Sequence, residues 1–336
     1  MPRPDVERLF QVVEGMAKVR LLVVGDVLLD EYVSGDVERV SPEAPVPVVH
    51  VRDENFALGG AANVARNAVA LGGQVDLCAV VGDDEAGDRL AGLVEALGVD
   101  TSNLVVSKGR PTTRKTRVVA RSQQVARLDR ELLEPPSDEV ARRLAGNAQR
   151  SIAGVDGVIV EDYGKGLLSA GFATDLMQRF RSAGLPVFVD PKEMIAPYAG
   201  ASLLKPNLRE AEALSGVEIR SAETLAFAAA RLRDRVAGGD LVVTLGSDGM
   251  VLFADGAAGI HVPTVAREVF DVQGAGDTTA AVLALALCAG ATLFEAAVIA
   301  NAAAGVVVGK VGTATASSRE VCASLPGALD AAGAGR

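Results

Sequence analysis

The run Asp271-Val272-Gln273-Gly274-Ala275-Gly276-Asp277-Thr278 sets two glycines directly ahead of an acid, with a long stretch of small and apolar residues behind it. Glycine has no Cβ, so backbone N–H groups there can approach a ligand closely. The apolar stretch after Thr278 predicts a buried helix, whose free N–H groups and positive dipole end would face whatever lies above the loop. An anion suits that place. Asp277, in the same first turn, is poorly suited to hold an anion and better suited to take the proton of a hydroxyl that attacks it. An anion hole with a base beside it is the minimum equipment for phosphoryl transfer. Spacing alone fits an ordinary Gly-rich turn equally well.

Further residues of the same kind recur along the chain. Residues 19–25 form an apolar run that ends in Gly25 and Asp26, with Asp30 four positions on. Acids at the carboxyl end of a buried strand are well placed for sugar hydroxyls. Gly59, Gly60 and Asn63 sit where a helix opens, and the glycine pair suits close approach or tight packing. Lys115, Arg117 and Arg121 fall at odd positions, so an uninterrupted strand would carry them on one face. Such a row fits a phosphate group or a solvated surface. Glu161, Asp162 and Lys165, then Asp190 and Lys192, then Lys205, Asn207 and Glu210, each follow a predicted strand.

Those residues need a scaffold that brings strand ends together. Strands are predicted at 74–81, 156–160, 186–189, 202–204 and 240–245, and helices at 86–97, 137–152, 169–182 and 222–236. Their alternation implies a mainly parallel α/β sheet covered on both faces, with its crevice at the strands' carboxyl edge. The proline-bearing segment 32–52 and the hairpin pattern at 112–120 and 124–129 break the rhythm and are expected to form a small β lid. Weak apolar periodicity predicts a surface helix at 5–17. The Ala/Gly-rich end after Leu325 is expected to be a tail.

Composition narrows the classes. The 336 residues carry a formal charge of −10 and no Lys/Arg block, which argues against a nucleic-acid partner. Trp is absent and aromatics make up 4%, which argues against base-stacking platforms. The apolar stretch 278–294 is interrupted and is expected to form buried globular helices rather than a membrane span. Three scattered cysteines fit a reducing cytoplasm, and two isolated histidines give no zinc-like cluster. No P-loop is present, since Gly305 to Lys310 has the wrong spacing and no hydroxyl.

In combination the motifs resemble the ribokinase-like (PfkB) carbohydrate kinase family. Gly59-Gly60 with Asn63 looks like its first signature, Asp271 to Thr278 like its second, and Asn207 with Glu210 like its N-x-x-E. Within it, Gly25 to Asp30, Val40 to Val48, Asp162 to Gly166 and Gly309 to Thr313 look most like the branch acting at C1 of D-glycero-β-D-manno-heptose 7-phosphate, in its single-activity form. Gln273 departs from the threonine usual before Gly274. The resemblance implies a three-layer αβα domain over about residues 1–330, with lid segments at about 31–58 and 112–129 and a tail at 331–336. It implies ATP and Mg²⁺ as cofactors and a homodimer formed through the lid. Asp277 would be the base, and the N–H groups of Gly274, Ala275 and Gly276 the anion hole. Asn207 and Glu210 would act near Mg²⁺ through water, and Leu208, Arg209, Thr244, Gly246, Gly249 and Asn301 would border the nucleotide. Asp26, Asp30, Gly59, Gly60, Asn63 and Asp162 would meet the sugar. Beyond the resemblance, the charge of Lys165 and of the Lys115, Arg117 and Arg121 row makes them the candidates to meet its phosphate. Another sugar or nucleoside kinase of this fold, or a non-catalytic binding regulator, would share much of this pattern.

Overall fold

The computed structural model describes residues 5–121, 123–254, 258–265 and 270–334. Helix α1 (Val6–Met16) leads into β1 (Arg20–Gly25). Two long strands, β2 (Val27–Val40) and β3 (Pro47–Gly60), leave the main sheet, and α2 (Ala61–Ala70), β4 (Gln74–Gly82), α3 (Glu85–Glu95) and β5 (Leu104–Ser107) return to it. The chain leaves again as β6 (Arg114–Ala120) and β7 (Gln123–Arg130). It then alternates through α4 (Asp138–Ser151), β8 (Gly157–Glu161), α5 (Ala170–Ser182), β9 (Val187–Asp190), β10 (Leu203–Leu204), α6 (Leu208–Ser215), α7 (Ala222–Arg235) and β11 (Asp240–Thr244). Strands β12 (Met250–Phe253) and β13 (Ile260–Val262) precede α8 (Ala275–Cys288), α9 (Leu293–Val308) and α10 (Ser318–Ala334).

Among the described residues the main sheet has nine strands in the order β13-β12-β11-β10-β9-β8-β1-β4-β5. It is parallel from β5 to β11, and β12 and β13 close one edge antiparallel. Alternation along β1 shows the layering. Leu21 and Val23 enter a core shared with α1, α2, α3, α8, α9 and α10, while Leu22 and Val24 enter a core shared with α4, α5, α6 and α7. In β1 every residue from Leu21 to Gly25 is thus buried on one face or the other, which is why such strands read as nearly continuous apolar runs. Helix α8 is buried from Asp277 to Ala286.

The lid is a separate sheet in the order β3-β2-β6-β7. Its strands are longer than expected. The first begins at Val27, one residue after β1, and β3 runs through Gly60 up to the first residue of α2. The lid is therefore anchored at the carboxyl edge of the main sheet.

Three expectations change. The first helix is not a surface helix, because Leu9, Val12, Val13 and Met16 are fully buried on one side of it. Up to Ala334 the Ala/Gly-rich end is not a tail, and positions 335–336 of that expectation lie outside the described residues. Helix α10 runs to Ala334, across Pro326, and buries Leu325, Ala328, Leu329 and Ala332. Small residues there let a helix pack closely, which composition alone reads as low complexity. Finally, β5, which the sequence reading missed, extends the sheet beyond β4.

Candidate active site

Asp277 lies in the first turn of α8 and is buried. Both of its oxygens are engaged: Asn63 Nδ2 donates to Oδ2 at 2.6 Å, and the Tyr163 hydroxyl donates to Oδ1 at 2.6 Å. Asn63 belongs to α2, which is tied to α8 again where the Thr278 hydroxyl donates to Asn67 Oδ1 at 2.8 Å. Tyr163 follows β8, and its loop is fixed by Asp26, whose Oδ2 accepts the N–H groups of Tyr163 and Lys165, each at 3.0 Å. Asp26 therefore acts at one remove, holding the loop that carries the tyrosine.

Gly274 caps α8 with φ +77° and no side-chain bond. A Cβ there would lie 2.9 Å from Asn63 Nδ2, so the position requires glycine for both conformation and space. Among the described residues no acceptor meets the N–H of Gly276 or Asp277, whereas the N–H of Ala275 turns back to Val272 at 3.4 Å. The uncapped turn retains donors for an anion. Lys205 stands beside it. Its Nζ pairs with Asp190 Oδ2 at 2.6 Å and lies 3.9 Å from where a Gly276 Cβ would be.

The glycine pair 59–60 is explained by the protein itself. A Cβ on Gly59 would meet Asp30 Oδ2 at 2.6 Å, and one on Gly60 (φ +57°) would meet the Asp26 carbonyl at 2.3 Å. Asp30 is not at the end of a buried strand as expected. It lies inside the lid strand β2 and pairs with Arg117 Nη1 at 2.6 Å. Lys115 Nζ lies 5.6 Å from the centre of the Tyr163 ring, which brings it over the site. Arg121 does not share that row. The end of β6 at Ala120 puts it in the turn, with φ +48°, bonded to the Val37 carbonyl at 3.1 Å. That carbonyl is seven residues beyond Asp30, roughly 20 Å along the strand. Lys165 pairs with Glu131 at 2.8 Å. Both oxygens of Asp162 are taken up within the protein, accepting from Gly164 N–H in its own loop at 2.8 Å and from the Tyr198 hydroxyl of the segment before β10 at 2.6 Å.

On the other side of the hole, Asn207 and Glu210 form the capping box of α6, and Glu210 also pairs with Lys192 at 2.7 Å. Leu208 and Arg209 are the first residues of that helix. Thr244 ends β11 beside Asn207, and the following turn uses Gly246 (φ +63°) and Gly249 (φ +87°). Asn301, buried in α9, donates to the Pro263 carbonyl at 2.7 Å. Next to it, Thr264, Val265, Phe270, Ala302, Gly305 and Gly309 line part of a groove of about 790 Å³. Among the described residues no group of three acids, histidines or cysteines is placed to hold a metal.

Burial raises the pKa of Asp277 above that of an ordinary aspartate, while the Tyr163 and Asn63 bonds and the Lys205 charge pull it back. Burial likewise pushes Asp190 up to about 6 against the Lys205 charge. Glu161, its neighbour across the β8–β9 pairing, is fully buried with neither oxygen hydrogen-bonded, and burial together with Asp190 holds its pKa well above normal. Two adjacent buried carboxyls resist carrying two charges. Burial opposes the charge on Lys205, but Asp190 and Glu161 outweigh it and keep the amine protonated. Sequence reasoning missed the Tyr163 hydroxyl on Asp277 and the Lys205–Asp190 pair. Their signal was their position just after β8, β9 and β10.

The fold and this constellation define a carbohydrate kinase. Residues 19–320 match the pfkB family of carbohydrate kinases, and the chain belongs to that family. Among curated relatives, a protein named Bifunctional protein HldE from Desulfatibacillum aliphaticivorans is 48% identical over 91% of this chain and 63% of its own length. One of the same name from Pelobacter propionicus is 45% identical over 96% of this chain and 65% of its own length. The chain thus spans just under two thirds of these relatives. Among solved structures, phosphofructokinase-2 from Escherichia coli superposes with a TM-score of 0.76 at 19% identity, covering 92% of this chain and 99% of that one. Ribokinase from Arabidopsis thaliana, complexed with ribose and ATP, gives 0.71 at 22% identity, covering 93% and 98%.

Proposed function

We propose that this kinase transfers the γ-phosphoryl group of ATP to C1 of D-glycero-β-D-manno-heptose 7-phosphate, giving the 1,7-bisphosphate and ADP. The observation that carries the reading is a buried aspartate, Asp277, in the first turn of a helix where, among the described residues, no acceptor meets the N–H of Gly276 or Asp277. Asp277 takes the anomeric hydroxyl's proton as that oxygen bonds to the γ-phosphorus. The bond from phosphorus to the β–γ bridging oxygen breaks and ADP leaves. The free N–H groups of the Gly274–Gly276 turn, with Ala275 released from the Val272 carbonyl when the anion binds, and the Lys205 ammonium receive the charge of the transferring group. Sugar hydroxyls meet Asp30 and Asn63, and the substrate's own phosphate meets Lys115 of the lid, with Arg117 held ready by Asp30. The adenine lies in the groove beside Asn301.

The donor set fits Mg²⁺ only indirectly. Both carboxylate oxygens of Glu210 are engaged, by the Asn207 N–H and by Lys192, so the ion would be held by phosphates and water with Asn207 and Glu210 behind the water. When bound, it would neutralise charge on the ATP phosphates. Similarity to the HldE proteins supports the heptose substrate. Exposed Val125 and Leu128 on the lid's edge strand β7, with Val51 on β3, support a homodimer through the lid. Among the described residues no helix is long and apolar enough to cross a membrane, and we place the reaction in the cytoplasm.

The test is transfer from MgATP to a panel of heptose 7-phosphate, fructose 6-phosphate, fructose, ribose and adenosine, with the product's phosphate located by ³¹P NMR. Phosphate on C1 of the heptose with the other acceptors slow is the expected result. Preference for another acceptor would overturn the substrate, and no transfer to any of them would overturn the enzymatic reading.

A further inference from the structure

Arg66 is outside every motif described so far. It lies on α2, one turn after Asn63 and thus on the same side of the helix, with a partly buried side chain. Its Nη2 donates to the Thr313 carbonyl. Thr313 in turn borders the hole, with its Cγ2 3.8 Å from where a Gly274 Cβ would be. The guanidinium is within electrostatic reach of Asp277 and of Tyr32 on the lid, and burial works against its charge. Among the described residues no carboxylate pairs with it. A guanidinium has five N–H donors in a planar fork, and among the described residues one carbonyl accepts from it. Drawing such a cation out of water without a counter-ion is unfavourable unless an anion arrives to supply one.

The arrangement around α8 says where that anion would sit. Lys205 stands at the Gly276 side of the turn, while Arg66 and Thr313 stand at the Gly274 side. The two cations therefore bracket the uncapped N–H groups. Asp277, Asp190 and Glu161 already place acids below the hole, so a highly charged phosphoryl group needs more positive charge than Lys205 alone supplies.

We propose that Arg66 is a catalytic residue that contacts the transferring phosphoryl group from the side opposite Lys205, with the Thr313 carbonyl holding its guanidinium in position. This rests on the phosphoryl-transfer reading above. Three equatorial oxygens carry the charge in the transition state, and a planar fork can donate to two of them where a lysine point charge cannot. The alternative role is a strap that merely fastens the segment around Thr313 to α2.

The experiment uses the full chain as Arg66→Met and Arg66→Lys, with thermal unfolding to confirm folding. Steady-state kinetics with MgATP and heptose 7-phosphate are combined with equilibrium binding of ADP, alone and with aluminium fluoride as a mimic of the planar transferring group. Arg66→Met is expected to lower kcat about 10²–10³-fold, the range for removing one transition-state donor. ADP affinity should stay within about threefold, while the further tightening by aluminium fluoride should be lost; Arg66→Lys should recover part of the rate. Equal weakening of ADP with and without fluoride would overturn the proposal in favour of the strap, as would kcat within threefold of wild type. If wild type fails on heptose 7-phosphate, the substrate reading has failed, and Arg66 is judged on the panel acceptor that wild type uses and on the fluoride complex. If Arg66→Met does not fold, Arg66→Lys carries the same comparison.

Discussion

Tyr163→Phe isolates the electrostatics of Asp277, the proposed base. The substitution keeps the ring beneath Lys115 and the backbone bond to Asp26, and removes the hydroxyl that donates to Asp277 Oδ1 at 2.6 Å. That hydrogen bond favours the charged carboxylate and lowers a pKa that burial has raised. Its loss therefore favours the protonated acid, and the enzyme needs a higher pH to reach its active form. A hydrogen bond to a charged group is worth about 1.5–3 kcal/mol. At about 1.4 kcal/mol per pH unit, the acid limb of kcat/KM should move upward by roughly one to two units. Asp277 is buried and Tyr163 half-buried, so solvent screening erodes the effect only in part. Asp190 also titrates near 6 but is present in both enzymes, so the difference between the two pH profiles reports on Asp277. The assay is initial-rate phosphoryl transfer from pH 5 to 9 with saturating MgATP. A limb that stays in place, or moves to lower pH, would refute the assignment of Asp277 as a base poised by Tyr163.

Other substitutions test neighbouring parts. Asp277→Asn should fold, because the rotated Tyr163 hydroxyl can accept from the new amide while Asn63 still donates to its oxygen; kcat should fall roughly 10²–10⁴-fold with ATP binding retained by calorimetry. Gly274→Ala would force a left-handed φ of +77° on a residue with a Cβ 2.9 Å from Asn63 Nδ2. It should cost about 1–2 kcal/mol in urea unfolding and also lower kcat by displacing Asn63 from Asp277; unchanged turnover would show that this contact does not matter. Lys115→Met should raise KM for the sugar phosphate about tenfold or more while KM for ATP moves little, since loss of a single charge pair near a protein surface is worth a few kcal/mol at most. Equal changes in both KM values would remove Lys115 from the acceptor side.

Much of the fold was legible because burial on both faces leaves a one-dimensional trace. The strand runs, their turn residues and the buried stretch after Thr278 each follow from local composition, and the structure has these elements within a few residues of their expected limits. The lid was legible for the opposite reason, since prolines and alternation mark segments that do not fit a doubly covered sheet. Helix α1 and the end of α10 were misread because their faces are defined by the partners they pack on. The charged row failed at Arg121 because β6 ends one residue before it and the left-handed φ of the turn redirects its side chain, and nothing in the alternation of charges announces where a strand stops.

The sequence by itself determined the parts list: a glycine turn before a buried helix, an acid in its first turn, and acids and lysines at strand ends. Those properties are local, because a turn or a helix start depends on residues a few positions apart. Only the tertiary structure decided which groups act on which. Asn63, Tyr163 and Asp277 are separated by 214 and 114 positions yet share one carboxylate. Lys205 finds Asp190, Arg66 finds Thr313, and the Tyr32 hydroxyl finds Gln273 at 2.5 Å. These pairings depend on strand order and on the lid folding back over the sheet edge. The pKa values that make the site work depend on burial from all sides, and no stretch of sequence carries that on its own.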